Sequence, residues 1–577
     1  MGDGAKRPRV FTVLSGRRGF EASKASPKDG CREAISLISG GPPSLKGRSQ
    51  RQVKKPMSSR QAGVLIPLFS LRSGSDFGVG EIPDLVPFSR WASDAGLRVV
   101  LLLPANEGAR GQNSPYFALS AFAIDPVYVA PEALTDFELA GGVAALKGED
   151  RDLLSALRLS PRVRWDEVRR LKRRAFELAF DRFVREEWDR KTERARALEG
   201  FARAERVWLE DYALFVALHD FEFEGRAWMD WPKELRERDP AALAASREKH
   251  GREVLFQEWM QWVADEQWRA ARSAANRGGV LLGGDLPFMV ASDAADVWAR
   301  REDFRTDARV GVPPDAFSPT GQDWGFPVYR WPEMRAADYP WIRERARRMA
   351  DLYDLYRVDH VVGLYRTYFF PSDGTEPSFV PAEEEEQIEN GEAVLRICSE
   401  GAQVVAEDLG VVPDFVRESL TSLSIPGYRV QRWEKNWKEG GDTFIDPANW
   451  PKLSLATTGT HDTESLADWY DALEEEERAQ LFLLPSLTTL GERAKVRFDD
   501  EVRDALLGMI YAAGSDLTLV PFQDLLGTRE RINLPGTVGD HNWTYRMSMD
   551  LVALAADRAA RDRLRELAVR AGRVPGG

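Results

Sequence analysis

The sequence predicts an α/β fold: a (β/α)8 barrel of the TIM type, carrying helical insertion subdomains and no C-terminal β-sandwich. Three observations predict it. From residue 62 onward, short apolar runs rich in Val and Leu recur without alternation, the pattern of strands covered on both faces. Helix-like amphipathic segments such as IPDLVPFSRWASDAG and PDFVRESLTSL lie between most of them, which implies a parallel sheet. Eight such runs are the number that closes a barrel. A doubly wound open sheet is the other arrangement this alternation permits.

Taken in order, the runs are AGVLIPLF (62–69), LRVVLLLP (97–104), GVLLGGDLP (279–287), YRVDHVVG (356–363), AQVVAEDLG (402–410), YRVQRWE (428–434), LSLATTGTHD (453–462) and LTLVPFQD (517–524). Their spacing is uneven. Between the second and third, residues of about 130–275 are dense in Ala, Arg, Glu and Trp at helical spacing, which predicts a mainly helical insertion whose charges form a solvated face. After the eighth run the chain ends in the helix-like ALAADRAARDRLRELAVRAG.

Charge marks a boundary near residue 58. Residues 1–60 hold 14 Lys and Arg against 4 Asp and Glu, so the rest of this −13 chain carries −23. The leader lacks periodicity and is rich in Gly, Ser and Arg, so residues 1–58 read as a disordered basic extension and 59–577 as the barrel domain. A transit peptide, or a translation start set upstream of Met57, gives the same pattern. The acidic body argues against a nucleic-acid partner. Apolar stretches too short to cross a bilayer argue against a membrane. Two cysteines, Cys31 and Cys398, form neither a disulfide framework nor a ligand pattern. A cytoplasmic location is expected, and no signal of oligomeric state is present.

In such a barrel the loops after the strands build the active site, so acids at strand ends call for an explanation. Four runs end in Asp285, Asp359, the pair Glu407 and Asp408, and Asp462. Metal-assisted phosphoryl or enolate chemistry uses a carboxylate cluster, but no histidines stand at ligand spacing and no Gly-rich phosphate loop follows a strand, so neither metal nor cofactor is expected. Glycoside cleavage uses one too, with one carboxylate attacking and a protonated one serving the leaving oxygen. Each acid also has a purely structural reading: Asp359 as the partner of Arg357 in a buried ion pair, Asp408 and Asp462 as helix caps. Arg357 and Asp359, two apart on a strand, share a face. There the guanidinium favours the charged carboxylate that a nucleophile needs.

RVDH (357–360), AEDLG (406–410) and GTHDT (459–463), in this order at these strand ends, resemble the 4-alpha-glucanotransferases (amylomaltases) of glycoside hydrolase family 77. The likeness extends to SPYFALSAFAIDPVYV (114–129), GGDLPFMVASDAADVW (283–298), GVPPDAFSPTGQDWGFPVY (311–329) and RINLPGTVGDHNWTYR (531–546), and so spans about residues 60–550. The resemblance implies a retaining transfer of α-1,4-glucan segments to glucose or maltodextrin acceptors. Asp359 is the implied nucleophile, Glu407 the general acid/base and Asp462 the stabiliser of the transition state. Arg357, His360, His461, Tyr116, Asp285, Trp324 and Asn542 are the implied substrate-binding residues, with Trp298 and Trp543 as further aromatic candidates. Residues of about 311–328 correspond to the family's active-site lid, where Ala316 stands in place of a frequent aromatic. An α-glucan hydrolase and a catalytically silent glycan-binding protein are the competing functions. The first usually brings a C-terminal β-sandwich and a calcium site, and the second is expected to lose one of the three acids.

Overall fold

All eight predicted runs contain a strand in the computed structural model, which describes residues 60–314, 321–436, 443–487, 490 and 497–574. The basic leader and Ala316 lie outside the described residues. In chain order the strands are β1 (Gln61–Leu65), β2 (Val99–Leu101), β3 (Leu281–Leu286), β4 (Phe304–Val312), β5 (Gln322–Tyr329) and β6 (Leu355–Val358). They continue as β7 (Thr367–Pro371), β8 (Ser378–Val380), β9 (Gln403–Ala406), β10 (Gly427–Val430), β11 (Ser454–Thr457) and β12 (Leu517–Pro521). Eight of these, β1, β2, β3, β6, β9, β10, β11 and β12, close a parallel barrel in which each strand neighbours the next in sequence. The seam pairs Gln61 with Leu517. The open-sheet alternative is thereby excluded.

The barrel strands are buried almost end to end, which is why they read as apolar runs rather than alternating ones. Within β3 the sequence GGD fits this crowding. A Cβ on Gly284 would stand 2.5 Å from the ring of Tyr353, at the start of the strand's neighbour. Gly284→Ala is therefore expected to lower stability by about 1–3 kcal/mol through overpacking, read as a drop in Tm.

A second, antiparallel sheet of order β5-β4-β7-β8 was not anticipated from the sequence. Its strands come from the loops that follow β3 and β6, so it stands at the barrel's C-terminal end, where the acids are. The predicted lid over 311–328 is largely the β4–β5 hairpin, in which Val312 pairs with Gln322 and Gly311 with Asp323. Gly, Pro and Asp in this stretch signalled a loop, but strand pairing with β7 overrides that local signal.

The segment between β2 and β3 is helical, including Trp165–Phe183, Arg206–Ala217 and the 27-residue helix Gly251–Arg277. The last packs against β3 and against helix Leu85–Asp94. Two buried amides fasten it to the loop after β2: Gln261 exchanges hydrogen bonds with the backbone of Ile124, and Gln267 does so with that of Ala130. Most charges here face solvent, but Lys172 does not. Its Nζ lies 2.6 Å from Glu81, with both side chains buried, and it also donates to Val127 O and Val129 O. Burial raises the Glu81 carboxyl to about 8, against the pull of Lys172. The expectation of a solvated face fails here because the helix packs at this position on the segments that follow β1 and β2. Among the described residues no helix is long and apolar enough to cross a membrane.

Candidate active site

The register of three adjacent strands assembles the centre. Asp285 on β3 stands opposite Arg357 on β6, and Val358 stands opposite Ala406 on β9. Asp359 and Glu407 are the next residues on their strands, so they leave the barrel on the same rung, one strand spacing apart, about 4.8 Å. Arg357 ties the group together. Its Nη1 donates to both oxygens of Asp285 at 2.9 and 2.7 Å, while its Nη2 lies 2.7 Å from Asp359 and 3.7 Å from Glu407. The structural reading of Asp359 is thus correct as far as it goes: Arg357 does pair with it. Asp285, however, already supplies the buried guanidinium with a bidentate partner.

Glu407 is held by backbone. One oxygen accepts from the N–H of His360 at 2.8 Å and the other from the N–H of Leu409 at 3.0 Å. Burial raises its carboxyl to about 7, helped by the charge of Asp359 and opposed by Arg357 and the two amides. Reaching Glu407 requires a φ of 45° at His360, a left-handed conformation uncommon for a side chain of this size. Burial lowers the imidazole of His360 to about 4, so it is neutral at neutral pH, and its ring meets the edge of Trp324 at 4.9 Å and that of Phe288 at 5.4 Å. The Phe288 N–H also reaches toward Asp359, at 3.5 Å.

Asp462 joins this centre through intermediaries. His461 Nε2 lies 3.4 Å from its carboxylate, and the His461 ring stacks on Tyr116 with centroids 5.1 Å apart. The Tyr116 hydroxyl donates to Asp285 at 2.7 Å, which closes the chain back to Arg357. Asn533 donates to Asp462 at 2.6 Å, and Arg531 donates to its backbone carbonyl at 2.6 Å. The capping readings fall away: Ser465 caps the helix after Asp462, and Asp408 accepts the Tyr428 N–H at 2.6 Å and lies near Arg429 and Arg417.

Two expected sugar contacts are otherwise engaged. The Asn542 amide accepts from Leu534 N–H and donates to the carbonyl and hydroxyl of Thr537 at 2.9 and 3.0 Å, so it shapes the 534–542 loop from within. Trp298 is wholly buried, packs against Phe215 and Trp231, and donates to Leu235 O; it belongs to the core. Trp543 packs near Tyr116 and His461, with centroids 5.8 Å from each. The sequence reading missed Asn533 and Arg531, although both lie in the quoted RINLPG motif. It also missed the amides of His360, Leu409 and Phe288, which no residue type could reveal.

A cavity of about 270 Å³ opens beside Glu407. Its walls include Trp324 of β5, His360, Leu409 and Val411 after β9, and Tyr368 and Phe379 of β7 and β8. His360 and Leu409 are the two residues whose amides hold Glu407, so the cavity is one residue removed from the carboxyl.

Comparison with known proteins agrees with this geometry. The family model described as 4-alpha-glucanotransferase, glycoside hydrolase family 77, matches residues 66–551. A 4-alpha-glucanotransferase of Chlamydia pneumoniae is 31% identical over 518 residues, covering 86% of this chain and 93% of the relative. One from Thermus thermophilus is 32% identical over 486 residues, covering 82% and 92%. The amylomaltase of Streptococcus agalactiae, solved in complex with acarbose, superposes with a TM-score of 0.75 at 26% identity, over 89% of this chain and 100% of that one. With the barrel, the acids at its strand ends and a match over most of its length, the chain belongs to the 4-alpha-glucanotransferases of glycoside hydrolase family 77.

Proposed function

We propose that the protein transfers α-1,4-glucan segments from a maltodextrin donor to the 4-hydroxyl of a glucose or maltodextrin acceptor by a retaining double displacement. The observation that carries this reading is the sharing of one guanidinium nitrogen by Asp359 and Glu407. That arrangement suits the roughly 5 Å spacing of retaining pairs and not the roughly 6.5–9.5 Å needed to admit a water between the carboxyls. Asp359, paired with Arg357, attacks the anomeric carbon. Glu407, with its carboxyl raised to about 7, gives its proton to the leaving glycosidic oxygen. The freed glucan departs. Glu407, now ionised, takes the proton of an incoming sugar hydroxyl as that oxygen displaces Asp359 and restores the α-linkage.

Asp462, half-exposed and held by Asn533 and His461, is free on its open side to bind ring hydroxyls of the sugar under attack, more tightly as positive charge develops there. Asp285 and Tyr116 hold Arg357 in place. Asn542 supports the loop beyond Asp462 and is not assigned to the sugar. The cavity is read as the leaving-group side, since His360 and Leu409, whose amides hold the acid that serves the leaving oxygen, are in its wall. Trp324 and His360 flank it, so an acceptor there displaces water from the space next to the glycosyl-enzyme.

Incubation with maltotriose tests the reading. Glucose together with a ladder of maltodextrins longer than the substrate is expected by chromatography. Glucose and maltose alone would make the protein a hydrolase, and unchanged maltotriose a silent binder.

A further inference from the structure

The two arginines near Glu407 differ in one respect. Arg357 is fully engaged with Asp285 and Asp359. Arg366, which lines the cavity beside Glu407, makes no ion pair within 4 Å among the described residues, and its Nε is buried without a hydrogen-bond partner. The side chain is nonetheless placed. Its guanidinium lies over the ring of Phe379, 4.4 Å from the centroid, and Phe379 in turn packs on Tyr368 at 5.0 Å. Burial pulls its pKa downward, and Glu384 acts on it only through space. An N–H left buried without an acceptor is costly, so the Nε of this half-buried arginine points to an acceptor supplied from outside the chain.

The cavity indicates what that acceptor is. Its lining is mostly aromatic, proline, glycine and aliphatic, with Gln322, His360, the Tyr368 hydroxyl and the Trp324 indole as further polar groups. Apolar faces with a few donors match a neutral sugar, which offers ring faces to aromatics and hydroxyls to the donors. Arg366 precedes β7 and rests on β8, and that sheet carries neither of the amides that hold Glu407. An acceptor whose first ring lies against His360 and Leu409 would then bring its next ring to Arg366.

We propose that Arg366, braced on Phe379, determines acceptor specificity by donating hydrogen bonds to hydroxyls of the second acceptor-side glucose unit, and so favours maltodextrin acceptors over free glucose. This rests on the transfer reading above. Its test uses amylose as a fixed donor, loss of iodine staining as the readout, and glucose or maltotriose as the varied acceptor. Arg366→Ala is expected to raise KM for maltotriose about tenfold, the loss of a charge-assisted hydrogen bond, and that for glucose less than twofold. Arg366→Lys keeps a donor and is expected to recover part of the difference; Phe379→Leu, which removes the brace, is expected to show the same selective loss. Equal changes for both acceptors, or no change for either, in variants with wild-type Tm overturn the assignment. Failure of the wild-type protein to transfer to any acceptor would instead overturn the transfer reading itself, so the two failures are distinguishable.

Discussion

Asp359→Asn is expected to lower the initial rate of glucan transfer by about four orders of magnitude, with little change in Tm. The loss is chemical: an amide oxygen cannot form the glycosyl ester, and Glu407, the other carboxylate on that rung, is held by the amides of His360 and Leu409. The fold is expected to persist because Arg357 keeps its bidentate hold on Asp285 at 2.9 and 2.7 Å, and Asn is nearly isosteric with Asp. A direct companion measurement exists. With α-maltosyl fluoride, whose leaving group needs no proton, Glu407→Gln is expected to accumulate a covalent adduct that mass spectrometry maps to Asp359. The nucleophile assignment fails if Asp359→Asn retains more than about one-hundredth of the activity, or if the adduct maps to another residue.

Glu407 yields the second large effect, and its sign depends on the step. With the carboxyl raised to about 7, the free enzyme holds the proton below that pH and loses it above. The donor kcat/KM, which reports the first step, is therefore expected to be flat below about pH 7 and to fall about tenfold by pH 8. In the proposed double displacement, esterification of Asp359 removes its negative charge, one of the causes that raise Glu407. The proton is then held less tightly, as the base of the second step requires. Glu407→Gln is expected to cost 10²–10⁴ in transfer of ordinary maltodextrins and to remove the pH limb.

The same shift bears on stability. Between about pH 4.5 and 7 the folded protein keeps a proton that the unfolded chain has released, so this group's contribution is most favourable below 4.5 and is lost as pH rises toward 7. Glu407→Gln should thus be more stable than wild type at pH 8, by about 1–3 kcal/mol in denaturant unfolding. An unshifted or reduced stability there would mean that burial does not hold the proton on Glu407.

Residues of one type at one strand end were legible in advance; backbone groups and distant partners were not. The strand-end positions of Asp359 and Glu407 could be read because each follows an apolar run, and a strand end in a barrel has one destination. Asp462 was found from GTHD, but its link to the others passes through His461, Tyr116 and Asp285, which lie on three separate segments. Asn542 misled because an Asn beside matched aromatics reads as a ligand contact, whereas its amide is consumed by Leu534 and Thr537 within its own loop. Trp298 misled for a related reason: the motif shows which positions matter without separating packing from contact.

The sequence by itself determined the barrel, its eight strands and the order of its acids, because burial on both faces and a strand-helix rhythm are local properties of the chain. It also determined the family, through motifs that stay in register over most of the length. Only the tertiary structure decided which groups hold the acids. Arg357 serves two carboxylates and neighbours a third because strands β3, β6 and β9 pair in one register, and the Glu407 carboxyl is raised because folding strips it of water. The second sheet is likewise a tertiary outcome. Strands drawn from two different loops pair there only once the barrel has set the loops side by side, and that pairing brings Trp324, Arg366 and Phe379 to one cavity.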